Sequence, residues 1–265
     1  MTNLQKRISS GLVLLIALAI VIKASLINIT LLVLLTLVCL EFLAFFKNRI
    51  ISLLFISAII ATFILNYYFS LLEIPYFFIG CIIWIGLFIR ILLYDNPNMS
   101  SKEILCAGYL MIMPSYISGG FISHTYPKLL LLILLAVSFA DSAAYFFGKK
   151  YGKRILLKNT SPGKTLEGLI GAIILTPVFL VLISDYLEIK LFGAILLGVA
   201  VTPISFMGDV VFSFIKRSSN MKDSSSLIPG HGGFIDLLDG SIASLPFFAV
   251  LLMVAESFIR NAFYQ

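Results

Sequence analysis

Apolar stretches of helical-span length alternate with brief polar breaks along almost the whole chain. A hydrocarbon core about 30 Å thick needs roughly 20 apolar residues in helix. On that scale the sequence predicts about nine transmembrane helices, over 11–28, 30–46, 51–70, 75–94, 103–122, 127–147, 167–187, 191–215 and 241–260. Their connections are short except at 148–166 and 216–240. The predicted fold class is therefore all-α, a polytopic transmembrane helical bundle. Its two parts differ in character: 1–128 reads as a scaffold of apolar helices, and 129–265 holds both long loops and the most polar spans.

Composition supports a membrane reading. Apolar residues make up 60% of the chain and charged residues 12%, whereas a soluble domain is about half apolar and a quarter charged. The net charge of +6 would suggest nucleic acid in a soluble protein, but here its distribution reports topology. With a cytoplasmic amino terminus, one side receives Lys6, Arg7, Lys47, Arg49, Arg90, Lys102, Lys149, Lys150, Lys153, Arg154, Lys158, Lys164, Lys216, Arg217 and Lys222. The other receives only Lys23, Lys128, Lys190 and Arg260. That split follows the positive-inside rule and places both long loops in the cytoplasm. The Ala17-Leu18-Ala19 triplet lies within the first apolar run rather than after it, so the run reads as an uncleaved span. Cys39, Cys81 and Cys106 all sit in apolar runs and read as small packing residues.

Charge is costly at bilayer depth, about 2.5–3.5 kcal/mol on insertion scales, so acids there usually face a protein interior or a wet cavity. Asp141 and Asp209 lie in the inner halves of their spans. Glu41, in the second span and close to Lys47, reads as an ion pair or as support for a site. Asp141 leads into Ala144-Tyr145, Gly148, Gly152-Lys153 and Ser161-Pro162-Gly163-Lys164-Thr165 with Glu167-Gly168. Asp209 leads into Ser213, Lys216-Arg217, Lys222-Asp223, Pro229-Gly230-His231-Gly232-Gly233, Asp236 and Asp239. Glycines let backbone N–H groups approach an anion, and lysines with Arg217 match phosphate oxygens. Asp236 and Asp239 would share a helix face and, with Asp209, present the carboxylates that Mg²⁺ prefers beside phosphate and water. The pattern points to phosphate and metal chemistry.

Two similarities do not hold. Ser161-Pro-Gly-Lys-Thr ends like a P-loop, but position 158 is Lys where that motif has Gly, and a membrane span rather than a strand context surrounds it. Asp236-x-x-Asp239-Gly240-x-x-Ala243 is similar to the start of the CDP-alcohol phosphotransferase signature, but Ser244 stands where that signature has Arg. No Asp or Gly follows it.

The segment Ser213-x-x-Lys216-Arg217-x4-Lys222-Asp223-x-Ser225-x-x-Ile228-Pro229-Gly230-His231-Gly232-Gly233-Phe234-x-Asp236-x-x-Asp239 closely resembles the signature of the phosphatidate cytidylyltransferase family, also called CDP-diacylglycerol synthases. The blocks Asp141-x-x-Ala144-Tyr145-x-x-Gly148 and Ser161 to Gly168 resemble a second recurring element of that family. The likeness covers roughly 138–250, and the first hundred residues match only in hydropathy, length and span count. It implies an integral membrane nucleotidyltransferase that converts CTP and phosphatidic acid to CDP-diacylglycerol and pyrophosphate. Mg²⁺, with a second cation as a further expectation, would be held by Asp209, Asp236 and Asp239, with Asp141 and Asp223 as further catalytic acids that could join them. Lys164, Lys216, Arg217 and Lys222 would neutralise the triphosphate. His231, Gly232 and Gly233 would shape the phosphate loop, and Tyr145 and Ser161 would contact substrate. The resemblance also implies a homodimer in the bilayer of a bacterial inner membrane, with the site facing the cytoplasm and no nucleic-acid partner. One departure stands out: the family carries Arg where this chain has Leu237, which leaves an inactive paralogue open. A lipid or ion transporter with buried carboxylates is the competing class, although the polar motifs crowd into one half of the chain rather than two related halves.

Overall fold

The computed structural model describes residues 27–46, 48–68, 73–186, 189–228 and 232–256. Within them the chain forms α1 (Ile27–Phe42), a 3-10 turn (Leu43–Phe45), α2 (Arg49–Tyr68), α3 (Glu73–Leu93), α4 (Ser101–Thr125) and α5 (Pro127–Tyr151). A short hairpin of β1 (Ile155–Leu157) and β2 (Ser161–Thr165) follows, then α6 (Leu166–Leu182), α7 (Leu191–Ser218) and α8 (Phe234–Val254). The architecture is an all-α bundle with one two-stranded antiparallel appendage.

Six of these helices, α2, α3, α4, α5, α7 and α8, are long and apolar enough to cross a membrane. The predicted spans 30–46 and 167–187 correspond to two shorter apolar helices, and the predicted span 11–28 lies outside the described residues. Nine full-length spans are thus not what the described residues contain. α2 and α3 leave much of their apolar surface uncovered, including Ile50, Leu53, Ile60, Ile82 and Leu93. Lipid is the solvent in which such a surface is stable. By contrast, α4, α7 and α8 are largely buried at the centre.

Local sequence explains several boundaries. Ser100 accepts from the Glu103 N–H while the Glu103 carboxylate accepts from the Ser100 N–H, a capping box that starts α4. Pro127 opens α5 where a missing N–H costs nothing, and Thr165 Oγ1 accepts from Gly168 to start α6. One internal core packs Trp84, Phe212, Phe42 and Phe55 between α1–α4 and α7. A second packs Leu129, Ile133, Leu197 and Phe248 at the other end of the bundle.

One close helix approach lies beside the buried acids. A Cβ at Gly208 of α7 would stand 2.4 Å from the Asp239 carbonyl oxygen and 2.8 Å from Ala243 Cβ. A Cβ at Gly240 of α8 would stand 2.3 Å from Ser205 Oγ. These two glycines bring α7 and α8 almost backbone to backbone, and each has an aspartate as its chain neighbour.

The two long loops are shorter than the hydropathy pattern predicts. α5 continues to Tyr151 and the hairpin fills most of 148–166. α7 continues to Ser218 and α8 starts at Phe234, so Asp236 and Asp239 lie in the first two turns of a helix. Asp236 and Asp239 lowered the hydropathy of that stretch and hid the helix start.

Candidate active site

Asp141 in α5, Asp209 in α7 and Asp239 in α8 come from the same end of the bundle. Asp141 lies ten residues before the end of α5 and Asp209 nine before the end of α7, while Asp239 is the sixth residue of α8. At 1.5 Å per residue that is roughly 8–15 Å inside the helix ends. The hairpin brings Lys164 to them from β2. Its ammonium pairs with the Asp209 carboxylate and interacts electrostatically with Asp141 and Asp239. It also lies 6.0 Å from the centre of the Phe206 ring.

Each acid is further restrained. Ser205 Oγ donates to Asp141 Oδ1 at 2.8 Å, and Ser213 Oγ donates to Asp209 Oδ1 at 3.3 Å. Asp239 is buried, and its Oδ1 accepts from the Gly240 N–H at 2.6 Å. Burial works against the charge on Lys164, but Asp209 and Asp141 outweigh it and hold the ammonium well above the ordinary lysine range. Lys164 therefore stays cationic throughout neutral pH.

The hairpin itself is anchored at both ends. Glu167 Oε2 accepts from the N–H groups of Lys153 and Arg154. At the hairpin tip, Asp95 Oδ2 accepts from Asn159 N–H at 2.8 Å, while Asp95 Oδ1 accepts from Thr160 N–H at 2.9 Å and Thr160 Oγ1 at 2.6 Å. Asp95 thus fixes the turn that delivers Lys164. We expect Asp95→Ala to lower turnover roughly tenfold or more by letting Lys164 drift. Its kinetics should be compared with faster amide exchange at Asn159 and Thr160; unchanged turnover would show that the hairpin holds Lys164 without this clamp.

Asp236 has its hydrogen-bond partners on the loop side of the cluster. It is the third residue of α8, and its Oδ2 reaches back to accept from the Gly233 N–H at 3.0 Å. The same oxygen accepts from Ser224 N–H at 2.8 Å and Ser224 Oγ at 3.0 Å, and its Oδ1 pairs with Lys216. Asp236 thus ties Ser224 and Gly233 together and holds Lys216. Among the described residues, no group of three His, Cys, Asp or Glu side chains stands at metal-ligand spacing, neither Asp209–Asp236–Asp239 nor Asp141–Asp209–Asp239. Lys216 links the two clusters, pairing with Asp236 and interacting with Asp209 and Asp239.

The donor chemistry of the deeper cluster still suits a hard divalent cation. Asp141, Asp209 and Asp239 offer only oxygen, the donor type that such a cation takes.

The remaining predicted residues surround this centre loosely. Ser161 opens β2 and is half-buried, and Tyr145 is exposed one helical turn beyond Asp141 with the Lys149 ammonium 5.9 Å from its ring. Arg217 is half-buried at the end of α7, while Lys222 and Asp223 are exposed on the loop. His231 lies outside the described residues. Gly232 has φ +100°, a conformation that favours glycine, and its N–H and C=O exchange hydrogen bonds with Ile228 across the loop neck. A Cβ at Gly233 would stand 2.0 Å from Ser224 Oγ and 2.5 Å from Glu41 Oε2. These glycines have identifiable reasons.

Comparison with known proteins matches the cytidylyltransferase family model over residues 5–255, nearly the whole chain. The chain belongs to the cytidylyltransferase family. Among curated relatives of this cytidylyltransferase-family chain, a phosphatidate cytidylyltransferase of Haemophilus influenzae is 45% identical over 127 residues, 46% of this chain and 44% of that protein. A phosphatidate cytidylyltransferase of Pseudomonas aeruginosa is 36% identical over 154 residues, 56% of each chain. An uncharacterized Escherichia coli protein, YnbB, is 40% identical over 145 residues, 54% of this chain and 46% of that protein. The chain spans about half the length of these curated relatives.

Proposed function

We propose that this member of the cytidylyltransferase family is a membrane-embedded nucleotidyltransferase that joins CTP to phosphatidic acid, giving CDP-diacylglycerol and pyrophosphate. The observation that carries the reading is the Lys164-centred cluster of Asp141, Asp209 and Asp239 at one end of an apolar bundle. It supplies charge chemistry for a nucleotide beside helices that fit a lipid's acyl chains. The same end carries Lys149, Lys150, Lys153 and Arg154, which supports a cytoplasmic site in a cell membrane.

In this reading the phosphatidate phosphate attacks the α-phosphorus of CTP and the bond to pyrophosphate breaks. A phosphate monoester is already anionic at neutral pH, so no strong base is required, and rate comes from positioning and charge neutralisation. Three carboxylates by themselves repel a triphosphate. Asp141, Asp209 and Asp239 would hold Mg²⁺, which would supply positive charge against the phosphates. Lys164 and Lys216 contribute cationic charge beside the same phosphates, and Asp236 keeps Lys216 and the glycine loop in place. Arg217 and Lys222, on the loop side, suit the departing pyrophosphate. A second cation and a homodimer remain part of the proposal by resemblance to the family.

CTP labelled at its α-phosphate, incubated with membranes holding the protein, phosphatidic acid and Mg²⁺, tests the reaction class. Label should move into the lipid phase as a covalent adduct. Movement of ligand across the membrane without chemistry would favour a carrier instead.

Leu237 lies half-buried in the first turn of α8, next to Asp236. Because Asp236 already has Lys216 as its cationic partner, Leu237→Arg should leave activity unchanged or raise it. A marked loss in the same assay would mean that the loop has been rebuilt around leucine.

A further inference from the structure

Glu41 is a buried acid, 5% exposed, near the end of α1, far in sequence from every residue of the cluster. Its carboxylate accepts four hydrogen bonds, all from neutral donors of the 224–235 segment. Oε1 takes Ser225 Oγ at 2.7 Å and Phe234 N–H at 2.8 Å. Oε2 takes Ser224 Oγ at 2.9 Å and Ile235 N–H at 2.9 Å. Two of these are orphan donors of the first turn of α8, where a negative charge also suits the helix dipole.

We propose that Glu41 is a positioning residue for the nucleotide site, holding Ser224, Ser225 and the first turn of α8 in register; the assignment rests on the functional reading above. The connection to the cluster is direct. Ser224 Oγ carries one hydrogen, which Glu41 Oε2 and Asp236 Oδ2 share at 2.9 and 3.0 Å. Asp236 in turn holds Lys216, and Lys216 faces Asp209 and Asp239. Gly233 is glycine at this point because Glu41 and Ser224 fill the space that a side chain would take. α1 therefore holds Ser224, Ser225 and the start of α8, almost two hundred residues later in the chain.

The geometry makes a charge-sensitive prediction. Each carboxylate oxygen accepts from a backbone N–H, so in Glu41→Gln the amide NH2 faces a backbone donor whichever way it is turned. Glutamine matches the volume and fails the hydrogen bonding.

The test uses the purified full chain, comparing Glu41→Gln and the milder Ser225→Ala with wild type. Amide exchange across 224–235 should quicken at least about tenfold in Glu41→Gln while α5 and α6 stay unchanged. KM for CTP should rise at least about tenfold, with a smaller change in kcat. Ser225→Ala should move both readouts the same way by a smaller factor, and it decides the matter if Glu41→Gln does not fold. A residue that merely supports the fold would lower the unfolding temperature and the active fraction but leave KM and local exchange unchanged, and that result overturns the assignment. Wild-type protein without CTP turnover would sink the functional reading instead, and the exchange pattern would then decide alone whether Glu41 anchors the loop.

Discussion

Asp209→Asn should lower CTP-dependent turnover by about 10²–10³-fold while leaving the helical content intact. Asp209 is the direct partner of Lys164 and lies within electrostatic reach of Lys216. Asparagine keeps the size and the capacity to accept from Ser213 but removes the charge that the site is built around. Asp239→Asn should have a comparable effect, since its carboxylate is buried against the same cluster. Asp236→Asn should behave differently, loosening the loop and freeing Lys216, with a rise in KM for CTP. The check is steady-state kinetics beside far-ultraviolet circular dichroism. Turnover by Asp209→Asn within a few-fold of wild type would remove Asp209 from the chemistry.

The second large effect comes from a residue with no side chain. Gly208→Ala places a methyl group 2.4 Å from the Asp239 carbonyl oxygen and 2.8 Å from Ala243 Cβ. Neither neighbour is a flexible side-chain end, so α7 and α8 must separate. That overpacking costs about 1–3 kcal/mol of stability. Because Asp209 and Asp239 flank the contact, a shift near 1 Å between them should lower turnover about 10²-fold. Gly86→Ala is the matched control: nothing lies within 4 Å of a Cβ there, so both activity and unfolding temperature should hold. Equal behaviour of the two variants would show that the α7–α8 contact does not set the site.

Hydropathy located most of the helices because lipid demands apolar length, and that demand is written locally. It also flagged Asp141 and Asp209, since a charge inside an apolar run is conspicuous. The polar start of α8 escaped the same measure because Asp236 and Asp239 made helical sequence read as loop. A capping pattern was nevertheless present, with Asp236 three residues after Gly233. The β1–β2 hairpin was hidden for another reason. Ser161-Pro-Gly-Lys-Thr lacks strand-like alternation, and its pairing with β1 is held from outside the strand, by Asp95 at the turn and Glu167 at the base. Glu41 was visible as a misplaced charge, but its nearest cation in sequence, Lys47, suggested a local pair. Its actual partners are near residues 224–235, and a contact of that separation leaves no trace in local spacing. Asp236 likewise shares a helix with Asp239, yet whether a carboxylate caps a loop or faces a cofactor depends on donors that only the folded chain brings to it.

The central claim is that the cluster of Asp141, Lys164, Asp209 and Asp239 transfers a cytidylyl group to a lipid phosphate. The most direct measurement follows purified wild-type protein in detergent with phosphatidic acid, CTP and Mg²⁺, quantifying CDP-diacylglycerol by mass spectrometry and pyrophosphate by an enzymatic assay. The account predicts equal amounts of the two products, with both lost when Mg²⁺ is chelated and both formed about 10²–10³-fold more slowly when Asp209→Asn replaces the wild type. Wild-type protein that makes no CDP-diacylglycerol, or Asp209→Asn that makes it at the wild-type rate, would contradict it.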